Sequence, residues 1–135
     1  MTDPQKILVI KSETSELKSV ENFLLSTFEE CKISKKNFNR ILLCISEAVI
    51  NSIEHGNKKD KHKNVLIGIS CTGNKLHVFI KDEGEGFDID KITDPTCKEN
   101  IKKESGRGIH IIKSLSESLE YNNDEKSIQL QFECK

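Results

Sequence analysis

The sequence lacks three features that would each point to a distinct class of protein: a large net charge, a long apolar run and a paired-cysteine motif. Its 21 lysine and arginine residues balance 22 aspartate and glutamate residues, which leaves a formal charge of −1. Such a balance gives no reason to expect binding to nucleic acid or to a membrane. No apolar run approaches the ~20 residues that span a bilayer, and Met1–Lys6 lacks the apolar core of a signal peptide. We therefore expect a cytoplasmic protein.

Cysteine usage and length also limit the possibilities. The five cysteines form no CxxC pair and no zinc-like spacing. Cys44 lies in an apolar helical pattern, and Cys71 and Cys134 lie in strand-like runs, which predicts reduced, buried thiols. A chain of 135 residues with no internal repeat suits one domain, so we expect a single unit over 1–135.

Hydrophobic periodicity predicts the main elements outside the centre of the chain. Spacings of three and four residues predict an amphipathic helix from about Ser15 to Glu30, and Ser34 is a candidate N-cap for the next helix. A second apolar run after Gly108 indicates a further helix. Alternation or short apolar runs predict five strands, which are Ile7–Ile10, Val65–Cys71, Leu76–Asp82, Leu119–Tyr121 and Ile128–Cys134. The turn residues Thr72–Lys75 join the second and third of these strands into a hairpin.

The stretch Ile41–Gly56 is the most informative part of the sequence. It is apolar almost all round at a helical period, which is typical of a buried helix, and Gly56 is a plausible C-cap. Glu47 and Asn51 interrupt the apolar surface at i and i+4, so they project side by side. A solvated Glu47 on a partly exposed turn is the alternative interpretation.

Two glycine-bearing segments follow the hairpin. Asp82-x-Gly84-x-Gly86-Phe87 ends the second hairpin strand, and Gly106-x-Gly108 precedes the last helical pattern. Alone, the first could be a calcium-like loop or an ordinary glycine turn, and the second could occur by chance, although it places backbone N–H groups where a phosphate could bind. The polar segment between them, at about 88–107, is typical of a functional lid.

In this order, the segments Ser46–Gly56, Lys81–Phe87 and Ser105–Ile109 resemble the N box and the two glycine boxes of an ATPase superfamily. The superfamily includes DNA gyrase B, histidine kinases and MutL, and it has the Bergerat ATP-binding fold. Within it, the sequence is most similar to the stand-alone anti-sigma-factor serine kinases of bacteria. The resemblance implies an α/β two-layer sandwich, with a mixed, mostly antiparallel sheet and about three helices on one face.

The resemblance also implies roles for individual residues. Glu47 would be the general base, Asn51 would bind Mg²⁺, and Asp82 would accept a hydrogen bond from the adenine amino group. His55 and Asn57 fall on the phosphate side of the family's site, although a structural histidine at a helix end is an equal alternative. The remaining nucleotide-binding residues implied by the glycine boxes are Gly84, Gly86, Phe87, Gly106, Arg107, Gly108 and Ile109. Arg107 could pair with phosphate, or it could point to solvent.

The expected function is that of an ATP-dependent serine/threonine protein kinase with ATP and Mg²⁺ as cofactors. Its substrate would be a small STAS-type anti-anti-sigma protein, with a sigma factor as a second possible partner and a homodimer as a possible assembly. The histidines, at positions 55, 62, 77 and 110, leave none in the first helix to act as a histidine-kinase phosphoacceptor. The rivals are a non-catalytic ATP-sensing module and a metal-binding or purely structural domain.

Overall fold

A computed structural model describes residues 5–84, 112, 115–116, 118–122 and 124–133. Two α-helices lie within these residues, α1 (Leu17–Glu30) and α2 (Phe38–Asn51). The strands of the described chain are β1 (Lys6–Lys11), β2 (Asn64–Thr72), β3 (Lys75–Asp82), β4 (Ser118–Asn122) and β5 (Ser127–Glu133). Every strand predicted from the sequence is present, and α1 begins two residues after its predicted start.

The strands form one five-stranded sheet in the order β1-β2-β3-β5-β4. All four pairings between described strands are antiparallel, which confirms the expected mostly antiparallel sheet. The predicted hairpin joins β2 to β3, and Thr72 pairs with Lys75 across a two-residue loop in which Gly73 has a φ of 59°. A left-handed φ of this kind favours glycine.

The expected third helix falls largely outside the described residues. Ile112 and Leu115 are helical, and the Ser116 N–H donates to the Ile112 carbonyl oxygen at 2.9 Å. Ile112 is fully buried in the core.

One face of the sheet packs against the helices, and this packing forms the core. Alternate residues of the central strands point into it, as the period-two pattern predicts. The helices supply apolar side chains from one stripe of α1 and from one broad face of α2. The prediction that α2 is buried almost all round holds for that face, but Leu43 on its back is 41% exposed. The fully buried large side chains are Leu24, Phe28, Ile41, Ile45, Ile67, Ile69, Leu76, Ile80, Ile112, Ile128 and Phe132.

The opposite face of the sheet is only partly covered. Ile7 and Val9 of β1 are each 54% exposed. They pair with Gly68 and Leu66 of β2, and the Phe79 ring from β3 covers Gly68. We call the four side chains Ile7, Val9, Leu66 and Phe79 the apolar half of the open face.

The end of α2 differs from the prediction. The helix ends at Asn51 and widens into a single π-turn, Ser52–Gly56, in which the Asn57 N–H donates to the Ser52 carbonyl oxygen at 2.8 Å. Gly56 is not left-handed, so its prediction as a C-cap was wrong. The left-handed residues come later, at Lys58 (φ 52°) and Lys59 (φ 62°). The π-turn delays the reversal of the chain, because it extends the helical hydrogen bonding past Asn51.

The other local predictions agree with the structure. The Ser34 hydroxyl oxygen accepts a hydrogen bond from the Lys36 N–H at 3.2 Å, and so caps the short 3₁₀ turn Lys35–Asn37 that leads into α2. Cys44 and Cys71 are buried free thiols, and Cys31 is a half-buried one. Cys134 lies outside the described residues.

Candidate functional site

Asn51 and Glu47 occupy successive turns at the end of α2. The Asn51 side chain is fully buried, and its Nδ2 donates to the Glu47 carbonyl oxygen at 2.7 Å. This bond fixes the plane of the amide. Within the described part of the chain, no donor reaches the buried Asn51 Oδ1. A buried acceptor without a hydrogen bond needs another partner, since leaving it unpaired costs about 1–3 kcal/mol.

The Asn51 oxygen has the chemistry of a magnesium ligand. A neutral amide oxygen is a hard donor, and Mg²⁺ is held in proteins by a few such oxygens together with phosphates and waters. The residues present therefore fit the ion that the family implies. No cluster of three or more histidine, cysteine, aspartate or glutamate side chains is arranged for a metal among the described residues.

Glu47 is half-buried, on the turn of α2 before Asn51. Its carboxylate interacts with the buried thiol of Cys44, one turn earlier in the helix. Burial raises the pKa of Cys44 to about 11; the nearby Arg40 charge opposes this shift and the Glu47 charge adds to it. A carboxylate at the edge of a buried helix can exchange a proton with a group that approaches from solvent.

Asp82 ends β3, and its carboxylate is buried with the side chain 3% exposed. Asp82 Oδ1 accepts a hydrogen bond from the Gly84 N–H at 2.9 Å, which closes a tight turn after the strand. A buried carboxylate is costly unless polar groups surround it. Its position at a strand end suits a group that accepts hydrogen bonds from a ligand.

The end of the π-turn lies directly against this strand end. A Cβ on Gly56 would lie 2.9 Å from Asp82 Cβ and would overlap the carboxylate. A Cβ on Gly84 would overlap the Gly56 carbonyl oxygen. Glycine at both positions therefore lets the N-box segment and the first glycine box meet backbone to backbone.

Asn57 adds hydrogen bonds to this contact. Its side chain is fully buried, and its Nδ2 donates to Ser12 Oγ at 3.2 Å and to the Asn64 carbonyl oxygen at 3.0 Å. Its Oδ1 accepts from the Glu83 N–H at 2.9 Å. Both ends of the Asn57 amide are therefore bonded to protein groups, although the family resemblance predicts this residue on the phosphate side of the site.

The structure brings together five of the residues predicted for the site. Glu47, Asn51 and His55 follow one another along α2 and the π-turn, and Asp82 and Gly84 contact that turn through Gly56. His55 is half-buried in the π-turn. The roles of all five stay predictions.

Apart from Asn57, whose bonds are given above, the other predicted site residues lie outside the described part of the chain. They are Gly86, Phe87, Gly106, Arg107, Gly108 and Ile109, together with the lid at about 88–107. Their roles stay predictions as well.

Sequence reasoning missed the contact of Gly56 with Asp82 and the bridging role of Asn57. The only local signal was a Gly-Asn pair between a buried helix and a lysine-rich loop, and such a pair also occurs in ordinary turns.

None of the described helices is both long and apolar enough to cross a membrane.

The chain resembles known proteins in sequence and in fold. The model of the histidine kinase-like ATPase domain family matches residues 10–132. The anti-sigma F factor of Shouchella clausii is 30% identical over 112 residues, which cover 80% of this chain and 76% of that protein.

The serine-protein kinase RsbW of Oceanobacillus iheyensis is 27% identical over 96 residues. That match covers 67% of this chain and 61% of the relative, so the chain spans less than two thirds of that protein. Among solved structures, the RsbU and RsbW domains of a Mycobacterium tuberculosis protein give a TM-score of 0.66 at 14% identity. The match covers 98% of this chain and 32% of that one, and it shows a shared fold.

Proposed function

The chain belongs to the histidine kinase-like ATPase domain family, and on that premise we propose that it is an ATP-dependent serine/threonine protein kinase of the anti-sigma-factor type. The observation that carries the proposal is the buried Asn51 Oδ1, which receives no hydrogen bond from the described residues. It lies one helical turn from Glu47, on the helix whose end contacts Asp82. Phosphate transfer from ATP uses a ligand for the metal ion and a general base. A carboxylate that recognises adenine completes the proposed site.

Asp82 is the proposed adenine-reading residue. Its carboxylate is buried at the end of β3 and is a hydrogen-bond acceptor, which is the chemistry needed to receive a hydrogen bond from the exocyclic amine of adenine. A hydrogen bond to a buried charged acceptor contributes about 1.5–3 kcal/mol, which is enough to select adenine over a base without the amine.

Asn51 is the proposed protein ligand of Mg²⁺. When bound, the ion would neutralise phosphate charge during transfer. The bond from Asn51 Nδ2 to the Glu47 carbonyl oxygen holds the amide in one orientation, so Oδ1 needs no rearrangement before it binds the ion. Preorganisation of this kind raises affinity, because less conformational freedom is lost on binding.

Glu47 is the proposed general base. It accepts the proton of a serine or threonine hydroxyl on the partner protein, and that oxygen then attacks the terminal phosphorus of ATP while ADP leaves. A purely nucleotide-sensing protein would need Asp82 and Asn51 but no base. The carboxylate on the same helix as the metal ligand therefore favours the kinase over the sensing module.

The proposed partners follow from the relatives. An anti-sigma F factor and a serine-protein kinase RsbW match this chain, and these names support a sigma factor and a protein substrate as partners. That the substrate is a STAS-type anti-anti-sigma protein is the expectation from the family resemblance. The apolar half of the open face supports a homodimer, since two copies could cover these side chains by facing each other across a two-fold axis. We place the reaction in the cytoplasm, where ATP is available.

Phosphate transfer tests the proposal. The protein is incubated with Mg-ATP and the STAS-type protein encoded nearest to it in the genome, and the product is analysed by mass spectrometry. We expect one phosphate on a serine or threonine of the partner, and less phosphate with Asp82→Asn when ATP is limiting. Nucleotide binding without transfer to any such partner would instead support the sensing module. Failure to bind nucleotide would leave only a metal-binding or structural domain.

A further inference from the structure

Asn57 lies where three strand ends meet. Its amide bonds Ser12 just after β1, the Asn64 carbonyl at the start of β2, and the Glu83 N–H just after β3. The side chain is fully buried, so no water competes for these bonds. Ser12 itself is held by its backbone, since its N–H donates to the Lys63 carbonyl oxygen at 3.1 Å.

The bond to Glu83 acts on the segment that carries the proposed adenine-reading carboxylate. Glu83 lies between Asp82 and Gly84, and the Gly84 N–H donates to Asp82 Oδ1. Successive N–H groups of this segment are therefore fixed by different acceptors, Asn57 Oδ1 and Asp82 Oδ1. The orientation of these two peptide groups determines where the Asp82 carboxylate points.

The same residue ties that segment to the helix end. The Asn57 N–H closes the π-turn by donating to Ser52, and the neighbouring Gly56 packs directly on Asp82 and Gly84. Asn57 therefore joins the element that carries Asn51 to the element that carries Asp82. Glu83 is 26 residues away in sequence, so local chain geometry does not enforce this contact.

We propose that Asn57 is a positioning residue that sets the adenine preference of the nucleotide site by holding the Asp82–Gly84 segment through the Glu83 N–H. The proposal rests on the proposed function, since it requires Asp82 to read the adenine amine. Asn57 touches no nucleotide in this scheme, and it acts only through the position of Asp82.

The test compares the affinities for ADP and IDP; in IDP a 6-oxo group replaces the exocyclic amine, and N1 carries a proton. The ratio of the two dissociation constants isolates recognition of the amine, because loss of folded protein scales both affinities by the same factor. We expect wild-type protein to prefer ADP, and Asp82→Asn to lose the preference. Asn57→Ala should reduce the ratio by about tenfold, as expected when a buried charged hydrogen bond is misaligned.

Ser12→Ala is the matched control. It removes another bond of the same amide, Nδ2 to Ser12 Oγ, but leaves the Glu83 contact in place. It should lower the melting temperature and keep the wild-type ratio. Asn57→Ser carries the same expectation as Asn57→Ala, with a smaller change in volume. Amide hydrogen exchange of Glu83, measured by NMR, should speed up in both Asn57 variants and stay slow in Ser12→Ala.

The outcomes separate this proposal from the proposed function. Wild-type protein without an ADP preference would overturn both. A preference that is lost in Asp82→Asn but kept in Asn57→Ala and Asn57→Ser would overturn the role of Asn57 alone. Equal losses of preference in Ser12→Ala and Asn57→Ala would also overturn it, because they would show that any damage to this network disturbs the site.

Discussion

Gly56 and Asp82 touch so closely that no side chain fits between them. A Cβ on Gly56 would overlap the Asp82 carboxylate and lie 2.9 Å from Asp82 Cβ. Through this contact, the end of the helix that carries Glu47 and Asn51 lies against the strand end that carries the proposed adenine-reading group. The helix end with the proposed catalytic residues and the strand end with the proposed adenine-reading residue therefore pack together as one unit.

Gly56→Ala tests the importance of this contact. The added methyl group must displace the carboxylate or the turn, and overpacking of this kind costs about 1–3 kcal/mol of stability. We expect the variant to fold with a lower melting temperature and to bind ADP at least about tenfold more weakly in calorimetry.

Gly73→Ala is the control for Gly56→Ala. Gly73 has a left-handed φ of 59°, and a Cβ there would meet no atom within 4 Å, so the substitution strains the hairpin without touching the site. Gly73→Ala should lower the free energy of unfolding by about 1 kcal/mol and leave the ADP affinity unchanged. Equal ADP affinities of Gly56→Ala and wild type would show that the close contact is irrelevant to binding.

Asn51→Ala tests the metal ligand. Removing the buried oxygen should weaken Mg²⁺-dependent ATP binding by at least about tenfold, because loss of a residue that only supports a metal ligand already costs about 10–100-fold. In EDTA the variant and wild type should bind ATP with similar affinity, since only the metal contribution is removed. A loss of the same size with and without Mg²⁺ would contradict the role of Asn51 as a ligand.

Cys44 predicts a pH dependence of stability. Burial raises the pKa of its thiol to about 11 from 9.0, so the folded protein holds a proton that the unfolded chain releases above pH 9. The resulting stability is complete below pH 9 and is lost as the pH rises towards 11. A pKa shift of this size corresponds to about 2–3 kcal/mol in the free energy of unfolding.

The check is urea denaturation of wild type and Cys44→Ala at pH 8 and at pH 10.5. The alanine variant should be less stable at pH 8, because a buried side chain is lost, and the difference should narrow at pH 10.5. Comparing the two proteins cancels the lysine and tyrosine titrations that they share. A difference that does not change with pH would contradict the shifted thiol.

The sequence predicted much of the fold because the strands alternate cleanly. Val65, Ile67 and Ile69 point to the core, and Leu66 and Gly68 point to the open face, as the period of two requires. The spacing of Glu47 and Asn51 likewise determined their common helix face. These features depend on residues that are neighbours in the chain, so a single sequence contains them.

The contacts that the sequence did not predict are long-range. Asn57 bonds Ser12 and Glu83, which are 45 and 26 residues away, and nothing in the local pattern indicates either partner. Gly56 was interpreted as a C-cap because glycine commonly ends helices, whereas its actual constraint is the distance to Asp82. Tertiary contacts of this kind override local preferences.

Single-turnover phosphate transfer by Glu47→Gln tests directly whether Glu47 is the general base. The substitution keeps the size of the side chain and removes the proton acceptor. Glu29→Gln, at an exposed position near the end of α1, controls for loss of a surface charge. Nucleotide titrations on each protein separate binding from chemistry.

We expect Glu47→Gln to bind ATP within a few-fold of wild type and to transfer phosphate to the STAS-type substrate about 10²–10⁴ times more slowly, the usual scale of general-base catalysis. Glu29→Gln should transfer at the wild-type rate. Transfer by Glu47→Gln at the wild-type rate would contradict the mechanism.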